Sequence, residues 1–404
     1  MESPLEIQPH AMAHGGEAVA RSDGKSIFVG GAMPGENVSV EIEKDKGSWA
    51  RARLIEVLAP SPNRVDPVCP HFDSCGGCQW QYADYERQLE WKRQTVIGQL
   101  AHLGKLETDV RPMIGSASPY NYRNRMDFHV RDDQPALYRR KSKELVPLST
   151  CALMVDPLSE LFAKLGPLKD VNALTMRASP RTGQSLVTLR GAIPPQAASW
   201  GANVARVRRG QPMAEIGRDH MYEEVAGHRF RITANAFFQN NTEGADHLVT
   251  LVRQALTPTR DDVLLDGYAG GGLFSVCLAK DVGEIISVEV SPLALGDLET
   301  NLSEVEAAAS IVPVPFEESI EELDGWTVAV VDPPRTGMGV AGIETVTSDM
   351  PRAIAYVSCD PASFARDARM LVDIGYELEW VAPVDMFPQT FHIELVGKFA
   401  LTEG

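Results

Sequence analysis

The sequence of 404 residues lacks any run of about 18 apolar residues, and its N-terminus lacks the basic, apolar and small stretches of a secretory signal. We therefore expect no membrane-spanning helix and no secretion. Basic residues are also scarce, since 38 lysines and arginines face 55 aspartates and glutamates, for a formal net charge of -17. Phosphate binding needs clustered lysine and arginine, so this total alone argues against a nucleic-acid partner.

The net negative charge is concentrated in one part of the chain. Residues 1–232 hold 30 basic and 27 acidic side chains, whereas residues 233–404 hold 8 and 28. Within the first part, Arg111 to Glu144 contains eight basic and four acidic residues, including the run Arg139-Arg140-Lys141-Ser142-Lys143. Such a run is either a solvated loop or a contact for an anionic partner. The length and the two differently charged blocks predict two or three domains with different partners.

Residues 1–60 predict a small module of short strands. The apolar stretch Ile27-Phe28-Val29 and the alternating stretch Val38 to Ile42 flank Pro34-Gly35, which fits a type II turn and predicts a hairpin. A further alternating stretch runs from Ala50 to Leu58, and prolines at 60, 62 and 67 predict a linker. A module of this size is typical of a small OB-like β-barrel, which is either purely structural or binds oligonucleotides on an open face.

Three of the six cysteines fall within ten residues, at Cys69, Cys75 and Cys78. In a chain with no expected secretion, this C-x5-C-x2-C spacing favours a metal site over disulfides. Cys151 is the natural fourth ligand. Four thiolates could hold zinc or an iron–sulfur cluster, and three local cysteines with one distant cysteine favour a [4Fe–4S] cluster.

From residue 233 onward, strands alternate with helices. The predicted strands are 262–266, 284–289, 328–332 and 353–358, with helices at 273–280 and 293–306 and a glycine-rich loop at 267–272. This alternation predicts a doubly wound, mostly parallel sheet that binds ligands at the carboxyl ends of its strands. Glu289, at the end of the second strand, is placed to accept hydrogen bonds from a ribose, which fits either a nicotinamide nucleotide or S-adenosylmethionine (SAM).

Two later strands end in groups capable of chemistry. Asp332-Pro333-Pro334-Arg335 places a carboxylate beside a rigid turn that suits a flat base. Ser358-Cys359-Asp360-Pro361 places a thiol at a strand end, and a helix expected from Phe364 should lower the pKa of that thiol. In contrast, Cys277 lies in an apolar helix and is expected in the core.

The segment from Asp385 to Val396 leads into the last predicted strand. His392 and Glu394 are two residues apart, so we expect them to share one face of that strand. Glu394 is either a satisfied structural group or a proton acceptor with a raised pKa.

Together these motifs resemble the SAM-dependent RNA uracil-5-methyltransferases, in the branch with an N-terminal TRAM domain (a small nucleic-acid-binding barrel) and a [4Fe–4S] cluster. The resemblance extends over essentially the whole chain. Its matching stretches are Phe28 to Val38, Cys69 to Gln81, Tyr122 to Arg125, Cys151, Phe237 to Gln239, Asp332 to Arg335, Ser358 to Pro361 and Phe387 to Glu394.

The resemblance implies three units: a TRAM-like barrel at 1–60, a small α+β cluster-bearing, RNA-binding domain at 61–232, and a Rossmann-like class I SAM methyltransferase domain at 233–404. Residues 81–111 are expected to pack on the third. It further implies Cys359 as nucleophile and Glu394 as base. The implied SAM contacts are Gln239, Tyr268, Glu289 and Asp332, and the implied cluster ligands are Cys69, Cys75, Cys78 and Cys151.

One part of the family pattern is not met. The family's glycine loop usually carries other residues where this chain has Gly267, Ala269 and Leu273, so a polar side-chain contact from position 273 is not expected.

The implied function is methylation of uridine C5 in RNA, with 23S rRNA as the expected substrate and tRNA as the alternative. RNA should contact the first 232 residues, especially Arg111 to Lys143. We also expect a cytoplasmic monomer with no membrane partner. The rival interpretations are an RNA cytosine-5-methyltransferase, an adenine amino-methylase and a non-catalytic iron–sulfur RNA-binding protein.

Overall fold

The computed structural model describes residues 4–402. Its α-helices are α1 (Tyr85–Gln99), α2 (Asp156–Ala163), α3 (Thr242–Leu256), α4 (Leu273–Leu278), α5 (Pro292–Leu302), α6 (Gly339–Thr347) and α7 (Pro361–Ile374). A π-helical turn, Leu100–Gly104, continues α1, and short 3-10 turns cover Pro195–Ser199, Phe316–Glu318 and Ile320–Glu322. In this described part of the chain, no helix is both long and apolar enough to cross a membrane.

The strands fall into four sheets. Their bounds are β1 (Leu5–Ile7), β2 (Ala11–Met12), β3 (Ala18–Ser22), β4 (Lys25–Gly30), β5 (Asn37–Asp45), β6 (Trp49–Ala59), β7 (Asp109–Val110), β8 (Arg125–Arg131), β9 (Gln134–Tyr138), β10 (Leu145–Pro147), β11 (Val171–Ala178), β12 (Ser185–Gly191), β13 (Asn203–Arg208), β14 (Gln211–Ile216), β15 (His220–Val225), β16 (His228–Thr233), β17 (Val263–Gly267), β18 (Glu284–Val288), β19 (Ala308–Val312), β20 (Val328–Val331), β21 (Ala353–Ser358), β22 (Tyr376–Val384) and β23 (Glu394–Leu401).

The N-terminal sheet has the order β1-β5-β6-β4-β3-β2 and covers a core that includes Ala18, Ile27 and Val38. The hairpin expected across Pro34-Gly35 is wrong, because β6 lies between β4 and β5 and pairs with both. The actual hairpins join β3 to β4 and β5 to β6. Gly35 does have the positive φ, 87°, that a tight turn uses. A turn reverses the chain, but it does not decide which strand occupies the neighbouring position.

The central sheet has the order β10-β9-β8-β11-β12-β13-β14, and α2 packs on it over a core that includes Met126, Leu158 and Trp200. The two-stranded ribbon β15–β16 follows this sheet but packs against α3 and α5. Its residues Val225 and Phe230 are buried in the core of the C-terminal domain, although they precede residue 233.

The C-terminal sheet has the order β19-β18-β17-β20-β21-β23-β22-β7. β17 to β21 are parallel, whereas β23 runs antiparallel to both β21 and β22. This is the expected α/β methyltransferase-like layout. The strand order reverses between β17 and β20, because β18 and β19 lie on one side of β17 and β20 and β21 lie on the other. Sheets of this kind bind ligands in the crevice at such a point.

Part of the central region joins this sheet. Short β7 pairs with β22, and α1 with its π-helical turn packs against α7. Buried residues of α1 and the following segment, such as Val96, Leu100 and Val110, belong to the core under the C-terminal sheet. The segment from Tyr85 to Val110 is therefore bound to the C-terminal domain over its length.

Candidate active site

Five residues identified in the sequence lie along one edge of the C-terminal sheet. Four of them directly follow the last residue of a parallel strand: Tyr268 follows β17, Glu289 follows β18, Asp332 follows β20 and Cys359 follows β21. The fifth, Glu394, is the first residue of β23. β23 runs antiparallel to β21. The first residue of β23 therefore lies at the same edge of the sheet as the carboxyl ends of β17, β18, β20 and β21. The strand order β18-β17-β20-β21-β23 places Glu289 at one end of this row and Glu394 at the other, with Asp332 between them.

The strand register brings Cys359 and Glu394 side by side. Ser358 pairs with Leu395 in the antiparallel ladder of β21 and β23, so Cys359 and Glu394 occupy the next position outward. Glu394 is buried, with 5% of its surface exposed, and Cys359 is partly buried. A thiol and a carboxyl group therefore border one site from two adjacent strands.

The helix after Cys359 begins earlier than expected. α7 starts at Pro361 rather than Phe364, and the Asp360 carboxylate accepts hydrogen bonds from the backbone N–H groups of Ala362 (3.0 Å) and Ser363 (2.8 Å). The backbone N–H groups at the N-terminus of α7 are thus already bonded to a capping carboxylate. They are not free to stabilise the thiolate of Cys359.

The surroundings of Cys359 raise its pKa, contrary to the expectation from sequence. Burial is the largest cause, and the carboxyl groups of Glu394 and Asp332 add to it, so that the pKa of Cys359 rises to about 12. Burial likewise raises the pKa of Glu394 well above its usual value, and Asp332 raises it further. Arg335 opposes both shifts.

Two further acids have raised pKa values, the partly buried Asp332 and the fully buried Asp266. Burial raises the pKa of Asp332 to about 7, with a contribution from Asp266. Burial also raises the pKa of Asp266 to about 7, although Ser275 donates to its carboxylate from both its backbone N–H and its hydroxyl. A row of acids with raised pKa values is a site in which a positively charged ligand would be stabilised.

The glycine loop fixes the acid at the other end of the row. Glu289 accepts hydrogen bonds from the backbone N–H groups of Gly270 (2.8 Å), Val290 (2.9 Å) and Ser291 (2.6 Å). The Tyr268 hydroxyl donates to Glu317 (2.8 Å). Both side chains are therefore held at the strand ends. Oε1 of Glu289 accepts from both Val290 and Ser291, whereas Oε2 accepts only from Gly270 and keeps a second lone pair for a ligand.

Gln239 lies outside the sheet, in the segment between β16 and α3. Its backbone oxygen accepts hydrogen bonds from Asn124 Nδ2 (3.2 Å) and Arg177 Nη1 (3.4 Å), which belong to the central domain. Burial lowers the pKa of Arg177 to about 9. Leu273 begins α4 and is buried in the core, in line with the expectation of no polar contact there.

His392 does not share a strand face with Glu394, because β23 begins only at Glu394. The imidazole lies in the preceding loop, with its ring centroid 4.5 Å from that of Phe391. Burial, aided by Arg335 and Lys92, lowers the pKa of His392 to about 4. Cys277 is buried in the core, as its helix predicted.

Comparison with known proteins identifies the family. The family described as tRNA (uracil-5-)-methyltransferase matches residues 204–400, and the TRAM domain matches residues 5–55. An uncharacterised RNA methyltransferase of Thermosynechococcus vestitus is 32% identical over 97% of each chain. A second one, from Gloeobacter violaceus, is 32% identical over 96% of this chain and 94% of its own. The chain belongs to the RNA uracil-5-methyltransferase family.

This RNA uracil-5-methyltransferase also has a solved structural neighbour. The crystal structure of Pyrococcus abyssi tRNA (uracil-54, C5)-methyltransferase in complex with S-adenosyl-L-homocysteine covers 98% of this chain and 100% of its own, with a TM-score of 0.79. At 23% identity the likeness concerns the fold. It confirms the expected α/β methyltransferase architecture behind an N-terminal TRAM domain.

The four predicted cluster ligands of the methyltransferase line one small cavity, together with apolar groups such as Leu137. None of the four is in a disulfide, and burial raises the pKa of Cys78 to about 12. Within residues 4–402, however, no three histidine, cysteine or acidic side chains are placed to hold a metal ion. The expected metal site is therefore not confirmed. The four lining cysteines are Cys69, Cys75, Cys78 and Cys151.

A wide basic cleft lies between the TRAM barrel, the central domain and the segment before Glu394. Its volume is about 900 Å³, and it is lined by Arg51, Arg53, the whole run Arg139 to Lys143, Phe391 and His392. The run is partly neutralised, because Lys141 pairs with Glu17. The cleft thus joins the basic surface expected from sequence to the loop that precedes the active site.

Sequence reasoning missed two contributors to the site. Glu317 lies in a short 3-10 turn with no recognisable motif, and only the fold brings it to the Tyr268 hydroxyl. His14, in the turn between β2 and β3, has its Nε2 3.6 Å from Asp360 Oδ2, so the TRAM barrel reaches the loop that carries Cys359. No sequence signal could have found either contact, since each joins segments distant in the chain.

Proposed function

We propose that this methyltransferase transfers a methyl group from SAM to C5 of a specific uridine in RNA, through a covalent bond between Cys359 and C6 of the base. The observation that carries this proposal is the register of β21 and β23, which sets Cys359 beside Glu394 at the sheet edge. One strand end supplies a nucleophile and its neighbour supplies a base, which are the two groups that the reaction needs.

The two side chains act in sequence. C5 of uracil is a weak nucleophile, so the thiolate of Cys359 first adds to C6 and makes C5 electron-rich. C5 then takes the methyl group from the sulfonium, which leaves as neutral S-adenosylhomocysteine. Glu394 removes the remaining proton from C5, and the electron pair of that C–H bond re-forms the C5–C6 double bond as the Cys359 sulfur leaves.

The raised pKa of each group fits this sequence. Burial and neighbouring acids favour the thiol form of Cys359 and the protonated form of Glu394. A sulfonium cation beside Asp332 would favour the ionised forms of all three groups. A carboxylate with a raised pKa is also a stronger base once it is ionised.

We propose that Gln239, Tyr268, Glu289 and Asp332 hold SAM. Glu289 would accept from the ribose hydroxyls, because the glycine loop fixes its carboxylate at the end of β18. Asp332 lies one strand from Cys359, where the reactive end of the cofactor must be.

We propose that the four cysteines hold a [4Fe–4S] cluster, with no redox step in the reaction. The donor set fits, because four thiols line one largely apolar cavity. Zinc held by the same four thiols is the alternative. When bound, the cluster would tie the loop at Cys69 to Cys78 to the distant Cys151.

We propose 23S rRNA as the substrate, with the basic cleft as the surface that meets the RNA around the target uridine. The base itself must be turned out of its stack to reach Cys359. A tRNA substrate is the alternative, and mapping which 5-methyluridine disappears from rRNA and tRNA after gene deletion separates the two. The cytoplasmic location and the monomeric state stay predictions.

The catalytic roles are tested by two substitutions. Cys359→Ala should abolish methyl transfer and the covalent capture of 5-fluorouracil RNA, whereas Glu394→Gln should accumulate a Cys359–RNA adduct visible on a denaturing gel. Cys277→Ala, a thiol in the core, is the matched control and should keep activity. Methylation by Cys359→Ala at the wild-type rate would show that the mechanism is wrong.

A further inference from the structure

The loop that leads into Glu394 is held by the central domain. We call residues 385–393 the base segment. At its start, Lys92 Nζ of α1 donates to Asp385 Oδ1 (2.6 Å) and to the Phe387 carbonyl (3.1 Å), and both charged side chains are fully buried. The Tyr122 hydroxyl donates to the Pro388 carbonyl (3.1 Å).

Gln389 is the most extensively bound residue of this loop. Its backbone N–H donates to Gln88 Oε1 and its side-chain oxygen accepts from Gln88 Nε2, both at 3.0 Å. Its carbonyl accepts from the backbone N–H groups of Gln79 (2.9 Å) and Trp80 (3.1 Å), which directly follow Cys78. The cysteine-bearing loop and α1 therefore meet the base segment at one residue.

The backbone of Gln389 supports a role beyond packing. Its φ is +69°, in the left-handed region that residues other than glycine seldom adopt, and its side chain is 2% exposed. Strained conformations persist only where surrounding contacts impose them, and they are concentrated at functional sites. Here the contacts come from Gln88, Gln79 and Trp80, and the base lies five residues further on.

We propose that Gln389 is a positioning residue that sets the orientation of Glu394, so that the conformation of the cysteine-bearing loop, Cys69 to Gln81, controls removal of the C5 proton. The inference rests on the proposed role of Glu394 as the base. The proposed SAM contacts Tyr268, Glu289 and Asp332 follow other strands, β17, β18 and β20.

The test compares two substitutions at one position. Gln389→Val puts a β-branched residue where φ is positive and should disturb the loop, whereas Gln389→Gly removes the side chain but accepts the backbone conformation. With RNA carrying tritium at C5 of the target uridine, Gln389→Val should release tritium at least about tenfold more slowly. It should also accumulate the Cys359–RNA adduct. Gln389→Gly keeps the backbone bond to Gln88 but loses the side-chain bond, so its rate should fall between that of Gln389→Val and that of the wild type.

SAM affinity, measured by calorimetry, should be unchanged in both variants. Ala226→Val is the matched control, because Ala226 also has a positive φ (50°) but lies in the exposed turn between β15 and β16. It should lower stability without accumulating adduct. Equal adduct in Ala226→Val and Gln389→Val would overturn the inference, as would wild-type tritium release by Gln389→Val.

A second pair of variants avoids backbone strain, in case Gln389→Val does not fold. Gln88→Leu removes both side-chain bonds to Gln389 and should give the same slow release and adduct, whereas Gln94→Leu, exposed on the same helix, should not. Glu394→Gln is assayed beside them. If it forms no adduct, the proposed base is wrong; if it does and Gln88→Leu does not, only the positioning role of Gln389 is wrong.

Discussion

At the residue scale, the neighbours of Cys359 govern its reactivity more than its place before a helix does. The N-terminus of α7 is capped by Asp360, while burial, Glu394 and Asp332 act on the thiol directly. A helix end alone would favour the thiolate. The acids and the burial reverse that preference in the ligand-free protein.

This environment predicts slow alkylation of Cys359. With a pKa of about 12, against an ordinary 9.0, Cys359 should hold on the order of a thousandfold less thiolate at pH 8. Because the thiolate fraction rises until the pH reaches the pKa, labelling by iodoacetamide should still increase above pH 10. Mass spectrometry resolves the individual cysteines. Glu394→Gln should label faster, and rapid labelling of the wild type at pH 7 would contradict the prediction.

The buried pair of Lys92 and Asp385 predicts a large stability loss. Lys92→Met leaves a fully buried carboxylate without its partner, so the free energy of unfolding should fall by about 3–5 kcal/mol. Urea titration followed by circular dichroism measures this loss. Lys169→Met, at an exposed position, should change stability by less than about 0.5 kcal/mol. Similar losses of unfolding free energy in both variants would show that the buried pair does not stabilise the fold.

At the scale of elements, the cysteine-bearing loop fits closely against the connection between β9 and β10. Gly76 donates its N–H to the Tyr138 carbonyl (2.8 Å), and Arg140 donates to the Cys78 carbonyl (3.1 Å). A Cβ at Gly76 would lie 2.8 Å from Tyr138 O and 2.9 Å from Arg140 N. The loop with three cysteines and the basic run are thus one packed unit.

That fit predicts the effect of one added methyl group. Gly76→Ala should push the loop off β9 and lower both the melting temperature and the iron and acid-labile sulfide bound per chain after anaerobic purification. Gly98→Ala is the matched control, because a Cβ there meets open space on α1 and should stabilise the protein by about 0.5–1 kcal/mol. Full iron content in Gly76→Ala would contradict the prediction.

At the scale of the whole molecule, the charge is divided between faces with different ligands. The C-terminal domain, with 28 acidic and 8 basic residues, carries the net negative charge and contains a site suited to a cation, whereas the cleft beside the TRAM barrel is lined by arginines and lysines. Several of these are already paired with acids, including Lys141 with Glu17 and Arg139 with Glu144. The free positive charge in the cleft is therefore modest.

A modest field predicts a shallow salt dependence of RNA binding. Each phosphate neutralised adds about 0.9 to the slope of log affinity against log salt for duplexes and about 0.7 for single strands. We expect a slope that corresponds to only a few phosphates, measured by filter binding across a salt series. Lys143→Gln, in the cleft, should reduce it, whereas Lys280→Gln, on the acidic domain, should not. A steep slope would contradict this view.

A feature of this protein could be predicted from sequence when it depends on interactions between residues near one another in the chain. The strands of the C-terminal sheet and the residues at their ends were predictable, because alternation of strands and helices is local and parallel strands end at one edge. The hairpin across Pro34-Gly35 failed, because the insertion of β6 between β4 and β5 is a long-range pairing. The strand face assigned to His392 failed because β23 begins two residues later.

The sequence by itself determined which chemical groups this methyltransferase has and on which strand ends they lie, since motif and periodicity are properties of the chain. The tertiary structure alone decided their environment. It set Cys359 beside Glu394 and raised the pKa of both, brought Glu317 to Tyr268, and bound Gln389 to the cysteine-bearing loop. Burial and proximity depend on segments far apart in sequence, so they exist only once the chain has folded.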